Sequence, residues 1–90
     1  MEFEGLPGHD LIQQGLEDLA RGKESVPSLL VSIGAPHLRR LGIAVPPTIP
    51  GAEHRLYALL EQQDPARAHS RYNALLRRLV SFERALECAD

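Results

Sequence analysis

The sequence predicts an all-α fold: a small bundle of four to five helices with a proline-rich extended crossover and a long C-terminal helix. Aromatic side chains make up only 4% of the 90 residues and Trp is absent, so aliphatic side chains must fill the core. Apolar residues recur at helical spacing along most of the chain, and Gly or Pro punctuates the helical segments. The length is that of one domain, and we expect residues 1–90 to form a single unit.

The first helix is predicted to begin at His9-Asp10, with Asp10 as its N-cap, and to end at Arg21-Gly22. Gly15 lies in the middle of this helix, where Gly costs about 1 kcal/mol relative to Ala. A close approach of a second helix would explain Gly at this position. Residues 1–8 are expected to form a loose leader before the helix.

Two further helices are predicted before the middle of the chain. Ser25 caps the second helix and Gly34 ends it, while Pro36 begins a short third helix that Gly42 closes. Residues 43–51 contain three prolines, which remove donors and favour extended backbone. Because this stretch is also rich in apolar residues, we predict an extended crossover that lies over the core between two helical halves.

A fourth helix is predicted from Ala52 to Gln62, and Asp64-Pro65 then resembles an N-cap followed by proline in the first turn of the last helix. The last helix is expected to run to about Glu87. Its apolar residues alternate at spacings of four and three, which is the seam of a coiled coil. This seam consists of Ala68, Tyr72, Leu75, Leu79, Phe82 and Leu86.

The last helix is the first candidate for function. Leu76 and Val80 widen its apolar arc beyond what a single surface helix needs, and three arginines border the arc on one side, as at many interfaces. A small core is often completed by a second copy of the chain, so we predict a homodimer through this helix. The alternative is that the last helix belongs to the core of its own chain and turns a basic face to solvent. The predicted interaction residues are Arg67, Arg71, Tyr72, Leu75, Arg78, Leu79, Phe82 and Leu86.

The charge of the chain limits the classes of function that the sequence supports. The net charge of −2 is too small to drive non-specific binding. Nine of the ten basic residues are Arg, which is typical either of bidentate recognition or of a GC-rich genome. The leading hypothesis is a non-catalytic protein interaction module, a small regulatory or accessory protein.

Nucleic-acid binding is the alternative from a different class. The stretch 34–40 has the order of a helix-turn-helix, a helix followed by a glycine turn and a basic helix. His37, Arg39 and Arg40, with the arginines of the last helix, would then contact the nucleic acid. The predicted recognition helix is short, however, and two adjacent arginines neutralise few phosphates.

A small enzyme or ligand carrier is the third hypothesis, with a pocket near His69, Arg71 and Asn73. His69 and Asn73, at positions i and i+4, can meet on one helix face. The four histidines stand 15 or more residues apart and there is a single Cys, so the spacing favours no metal site. We expect no cofactor and no catalytic residues.

The setting is expected to be the cytoplasm of a bacterium. The acidic amino terminus lacks the apolar region of a signal peptide, and the longest strongly apolar run, Leu29-Leu30-Val31, is far too short to span a membrane. Cys88 has no second Cys with which to form an internal disulfide, which suits a reducing compartment.

Overall fold

The computed structural model describes residues 4–88, and the all-helical prediction is confirmed in that range, which contains no strand. Four α-helices follow one another: α1 (His9–Ala20), α2 (Val26–Arg40), α3 (Ala52–Gln63) and α4 (Ala68–Cys88). A 3₁₀ turn, Pro65–Arg67, leads into α4. No helix within the described range is long and apolar enough to cross a membrane.

The predicted second and third helices are one helix, so the expected boundary at Gly34 and Pro36 is wrong. Pro36 removes only one backbone donor, and the packing of α2 outweighs that loss because Leu30, Val31 and Leu38 are fully buried. Gly34 lies inside α2 where α4 comes close, since a Cβ at this position would stand 2.9 Å from Leu79 Cδ1. The glycine thus serves helix packing instead of ending the helix.

Gly15 serves the approach of α1 to α2, as predicted. A Cβ built on Gly15 would collide with the carbonyl oxygen of Pro27 and with the side chain of Val31. The predicted N-cap of α1 is not observed: Gly8 occupies that position with φ +75°, and Asp10 lies within the first turn. Of the predicted leader, residues 1–3 lie outside the described part, and Leu6 packs against the core.

The turn between α1 and α2 is built around the buried carboxylate of Asp18. Ser25 caps α2 by accepting a hydrogen bond from the amide of Ser28 at 3.2 Å, and its own hydroxyl donates to Asp18 Oδ2 at 2.6 Å. Gln14 Nε2 donates to the other oxygen of Asp18 at 3.0 Å. The Ser25 hydrogen bond is the largest influence on the pKa of Asp18 and lowers it below 3.8, although burial acts in the opposite direction.

This lowered pKa predicts a pH-dependent contribution of Asp18 to stability. The ionised carboxylate stabilises the fold fully above its ordinary pKa of 3.8, and this stabilisation is lost as the pH falls through the lower folded-state pKa. In Asp18→Asn, the thermal midpoint should therefore fall most at neutral pH, and its difference from the wild type should shrink in acid. Thermal melts from neutral pH to pH 3 measure this, with Glu17→Gln at an exposed position of α1 as the control. A difference independent of pH would contradict the assignment.

The proline-rich crossover has no helix or strand and lies over the core, which is consistent with the prediction. Ile43 is buried, and Val45 and Ile49 pack against the core. The amide of Ile49 donates to Ser32 Oγ at 3.1 Å, and Arg39 Nη2 donates to the carbonyl of Pro46 at 3.3 Å. The crossover is thus attached to α2 at two places and delivers the chain to α3.

The start of α4 differs from the prediction. Pro65 begins a 3₁₀ turn instead of the α-helix, and Asp64 makes no side-chain cap hydrogen bond. The backbone carbonyl of Asp64 accepts from the amide of Arg67 at 3.1 Å instead. α4 then packs against both α2 and α3, which places one of its faces in the core and leaves the opposite face in solvent.

Candidate functional site

The apolar seam of α4 belongs mainly to the core of the chain itself. Leu79 and Phe82 are 4% and 0% exposed, and Ala68 is also buried. The remaining seam residues, Tyr72, Leu75 and Leu86, are half-buried and pack against the same core. Within one chain, α2 and α3 therefore cover the part of the seam that is fully buried. The use of the seam residues as contacts to a partner stays a prediction.

Tyr72 joins α4 to α3. Its ring meets the ring of Tyr57 edge-on, with centroids 5.5 Å apart, a geometry that aromatic pairs prefer. Burial raises the pKa of Tyr72 above 10.0, with a smaller contribution from the negative charge of Glu53. Tyr72 is therefore a neutral packing residue at neutral pH.

The three arginines predicted at the margin of the seam each have a partner within the chain. Arg67 Nε lies 3.9 Å from Asp64 Oδ2, and Arg78 Nη2 lies 3.9 Å from Asp10 Oδ1. Arg71 Nη1 donates to Gln63 Oε1 at 3.1 Å. Such exposed pairs contribute at most about 1 kcal/mol each, so Arg67 and Arg78 could exchange their partners for those of another protein.

The solvent side of α4 carries the features expected of a contact surface. We call it the outer face of α4 and define it by Ala74, Leu76, Arg77, Val80, Ser81 and Arg84. Val80 is 41% exposed and is the one large apolar side chain in residues 4–88 with that degree of exposure. The side chains of Arg77 and Arg84 have no hydrogen bond or ion pair with any residue of the same described range.

Two shallow hollows run along this outer face. One, of about 400 Å³, is lined by side chains of α4 alone, namely Leu76, Arg77, Val80, Ser81 and Arg84. The second, of about 330 Å³, lies between α4 and the segment before α1 and is lined by Pro7, Gly8, Ala74, Arg77, Arg78 and Ser81. Because Arg77 and Ser81 line both hollows, the two form one continuous strip. The sequence pattern had included Leu76 and Val80 only as a widening of the buried seam.

The helix-turn-helix interpretation is wrong, because α2 continues without a turn through residues 34–36. His37 faces α4, where its Nδ1 lies 3.3 Å from Glu83 Oε1 and its Nε2 lies 3.4 Å from Glu87 Oε2. Arg39 is hydrogen-bonded to crossover carbonyls, and Arg40 is exposed. The three predicted nucleic-acid contacts therefore do not share one free surface.

Glu83 is a residue that the sequence pattern missed. It is 6% exposed, and a Cβ on Gly34 would lie 3.2 Å from its Oε2. Glu83 and Glu87 approach different ring nitrogens of His37, so the three side chains do not converge on one point. Within residues 4–88 no group of three or more His, Cys, Asp or Glu residues is placed to hold a metal ion.

The cluster predicted around His69 does not converge either. His69 Nε2 and Asn73 Nδ2 lie 3.2 Å apart, as the i, i+4 spacing predicted. Arg71, however, is directed to Gln63. Both His69 and Ser70 are exposed, and neither hollow of the outer face includes any of these residues.

Comparison of the chain with protein-family models, with curated proteins and with solved structures found no match.

Proposed function

We propose that this chain is a non-catalytic interaction module that binds a partner protein through the outer face of α4. The observation that carries the proposal is the position of the exposed Val80 between Arg77 and Arg84, two arginines without partners in the described range. Protein interfaces combine an apolar centre with a polar rim, and Arg is enriched among the residues that contribute most to binding.

The packing of α4 supports this proposal because it holds the outer face in place. Near its start, Tyr72 packs on Tyr57 of α3. Nearer its end, Leu79 packs against Gly34 and Glu83 lies against His37 of α2. A surface presented by a fixed helix loses little conformational freedom on binding, which leaves more of the contact energy for affinity.

Self-association through α4 stays a prediction, and the mass of the chain in solution tests it. We also keep the bacterial cytoplasm as the proposed setting. The exposed, unpaired thiol of Cys88 suits a reducing compartment.

Site-specific photo-cross-linking in the source cells tests the proposal. Val80 is replaced by the photoreactive residue p-benzoylphenylalanine, and Ala20, exposed at the far end of α1, is replaced in the matched control. We expect a discrete adduct heavier than the 9.9 kDa chain from position 80 and none from position 20. Adding Arg77→Glu and Arg84→Glu should remove at least about nine-tenths of the adduct, since a tenfold loss of affinity corresponds to only 1.4 kcal/mol.

Two results would contradict the proposal. The first is the absence of any adduct at position 80. The second is an equal yield of adducts from positions 80 and 20, because the contact would then not be specific to the outer face. Circular dichroism checks that the arginine substitutions, both at exposed positions, leave the helical content unchanged.

A further inference from the structure

We infer that the partner seated on the outer face of α4 is an acidic amphipathic helix of another protein. This inference rests on the proposed function and specifies its ligand. It starts from the charge of residues 74–84, which contain three arginines, Arg77, Arg78 and Arg84, and one acidic residue. That residue, Glu83, is buried and faces His37. Arg78 lies 3.9 Å from Asp10 Oδ1, so the positive charge that this stretch offers to a partner is mainly that of Arg77 and Arg84.

A second copy of the chain is a poor complement for this surface. Two outer faces placed against each other would bring Arg77 and Arg84 of one chain toward the same arginines of the other. Like charges brought together at an interface oppose association. The next acidic residue along α4, Glu87, is 3.4 Å from His37 Nε2 and is thus already engaged. Charge complementarity therefore favours a partner rich in Asp and Glu.

The shape of the strip favours a helix as that partner. The strip extends from Ala74 to Arg84, about 15 Å at a rise of 1.5 Å per residue. Along it, the small side chains of Ala74 and Ser81 contribute to the hollows, which leaves room for a second helix to come close. Leu76 and Val80 supply an apolar side to the larger hollow, where apolar residues of the partner would be buried.

The spacing of the arginines specifies the partner further. Arg77 and Arg84 are seven residues apart, which is about 10.5 Å along the helix and nearly two full turns. A partner helix with carboxylates at positions i and i+7 and apolar residues between them would match both arginines. Each guanidinium can form two parallel hydrogen bonds with a carboxylate, and neither has to give up a partner within the described part of the chain to do so.

Fluorescence anisotropy with two labelled synthetic helical peptides tests this inference. The peptides share one apolar face and differ only in their flanking residues, which are Glu in one and Lys in the other. We expect the wild-type chain to bind the Glu peptide at least about tenfold more tightly than the Lys peptide, and more weakly as salt increases. In the Arg77→Glu/Arg84→Glu variant this preference should disappear.

The matched control is Arg21→Glu/Arg40→Glu. It changes the net charge equally at two exposed positions outside α4, so it should keep most of the preference for the Glu peptide. A control variant that loses the preference as fully as the Arg77→Glu/Arg84→Glu variant would overturn the inference, because the effect would then come from net charge alone.

The remaining outcomes of these experiments distinguish an acidic helix from other partners of the outer face. Failure to bind the Glu peptide, or equal binding of both peptides, overturns the acidic helix. A solution mass of twice 9.9 kDa that falls to the mass of one chain in Arg77→Glu/Arg84→Glu also overturns it, because a second copy would then be the occupant. Tighter binding of duplex DNA than of the Glu peptide overturns it as well. If the adduct at position 80 still forms in cells while the peptides fail, the interaction module stands and only the acidic helix is rejected. Absence of the adduct rejects the module itself.

Discussion

Phe82→Ala is expected to destabilise the fold by about 3–5 kcal/mol, the usual range for removing a fully buried ring. The side chain is 0% exposed and lies in the core, and aliphatic neighbours fill a cavity of that size only in part. A domain of this length has a total stability of only about 5–15 kcal/mol, so much of the variant should unfold under mild denaturant. Urea titration followed by circular dichroism measures the change.

Val80→Ala is the matched control for Phe82→Ala because it also shortens an apolar side chain of α4. At 41% exposure, Val80 should change the stability by no more than about 0.5 kcal/mol. The pair separates the two faces of α4, since Phe82→Ala should reduce stability and Val80→Ala should weaken binding. Equal losses of stability in the two variants would contradict the burial of Phe82 and the exposure of Val80 in the structure.

Gly15→Ala is expected to lower the stability by about 2–3 kcal/mol, within the range for overpacking. The added methyl group would favour the helical backbone by about 1 kcal/mol, but it would collide with the backbone carbonyl of Pro27. A backbone atom cannot rotate away as a side chain can, so α1 and α2 would have to separate. For a chain of this length the thermal midpoint should fall by roughly 10–20 °C.

Gly34→Ala provides the comparison for Gly15→Ala. Its Cβ would meet the side-chain ends of Leu79 at 2.9 and 3.0 Å, and these can move by changing rotamer. We therefore expect a smaller loss of stability than for Gly15→Ala. An unchanged or raised thermal midpoint in Gly15→Ala would show that α1 and α2 can separate at no cost.

The sequence predicted most of the elements whose signals are local, although the side-chain caps expected at Asp10 and Asp64 are not formed. The apolar period of α1 and α3, the cap at Ser25 and the prolines of the crossover each depend on neighbouring residues, and each prediction agrees with the structure. α2 was divided because Gly34 and Pro36 act as breakers in isolation, whereas tertiary packing decides whether a helix tolerates one missing hydrogen bond.

The candidate site was harder to predict than the fold. Helical spacing defined the broad apolar arc of α4, but it could not show which part of that arc is covered by the chain's own helices. The coverage of the arc depends on where α2 and α3 lie. The pairing of His37 with Glu83, 46 positions apart in the sequence, depends on the same tertiary arrangement. No periodicity within one helix carries this information.

α2 packs against α1, α3 and α4, and its buried residues Leu29, Leu30 and Val31 are fully enclosed. Removing α2 from the fold would expose the inner faces of all three other helices at once. Short helices of 12 residues, such as α1 and α3, are marginal on their own in water. The described part of the chain should therefore lose its structure in one cooperative step, without a partly folded species that retains the other helices.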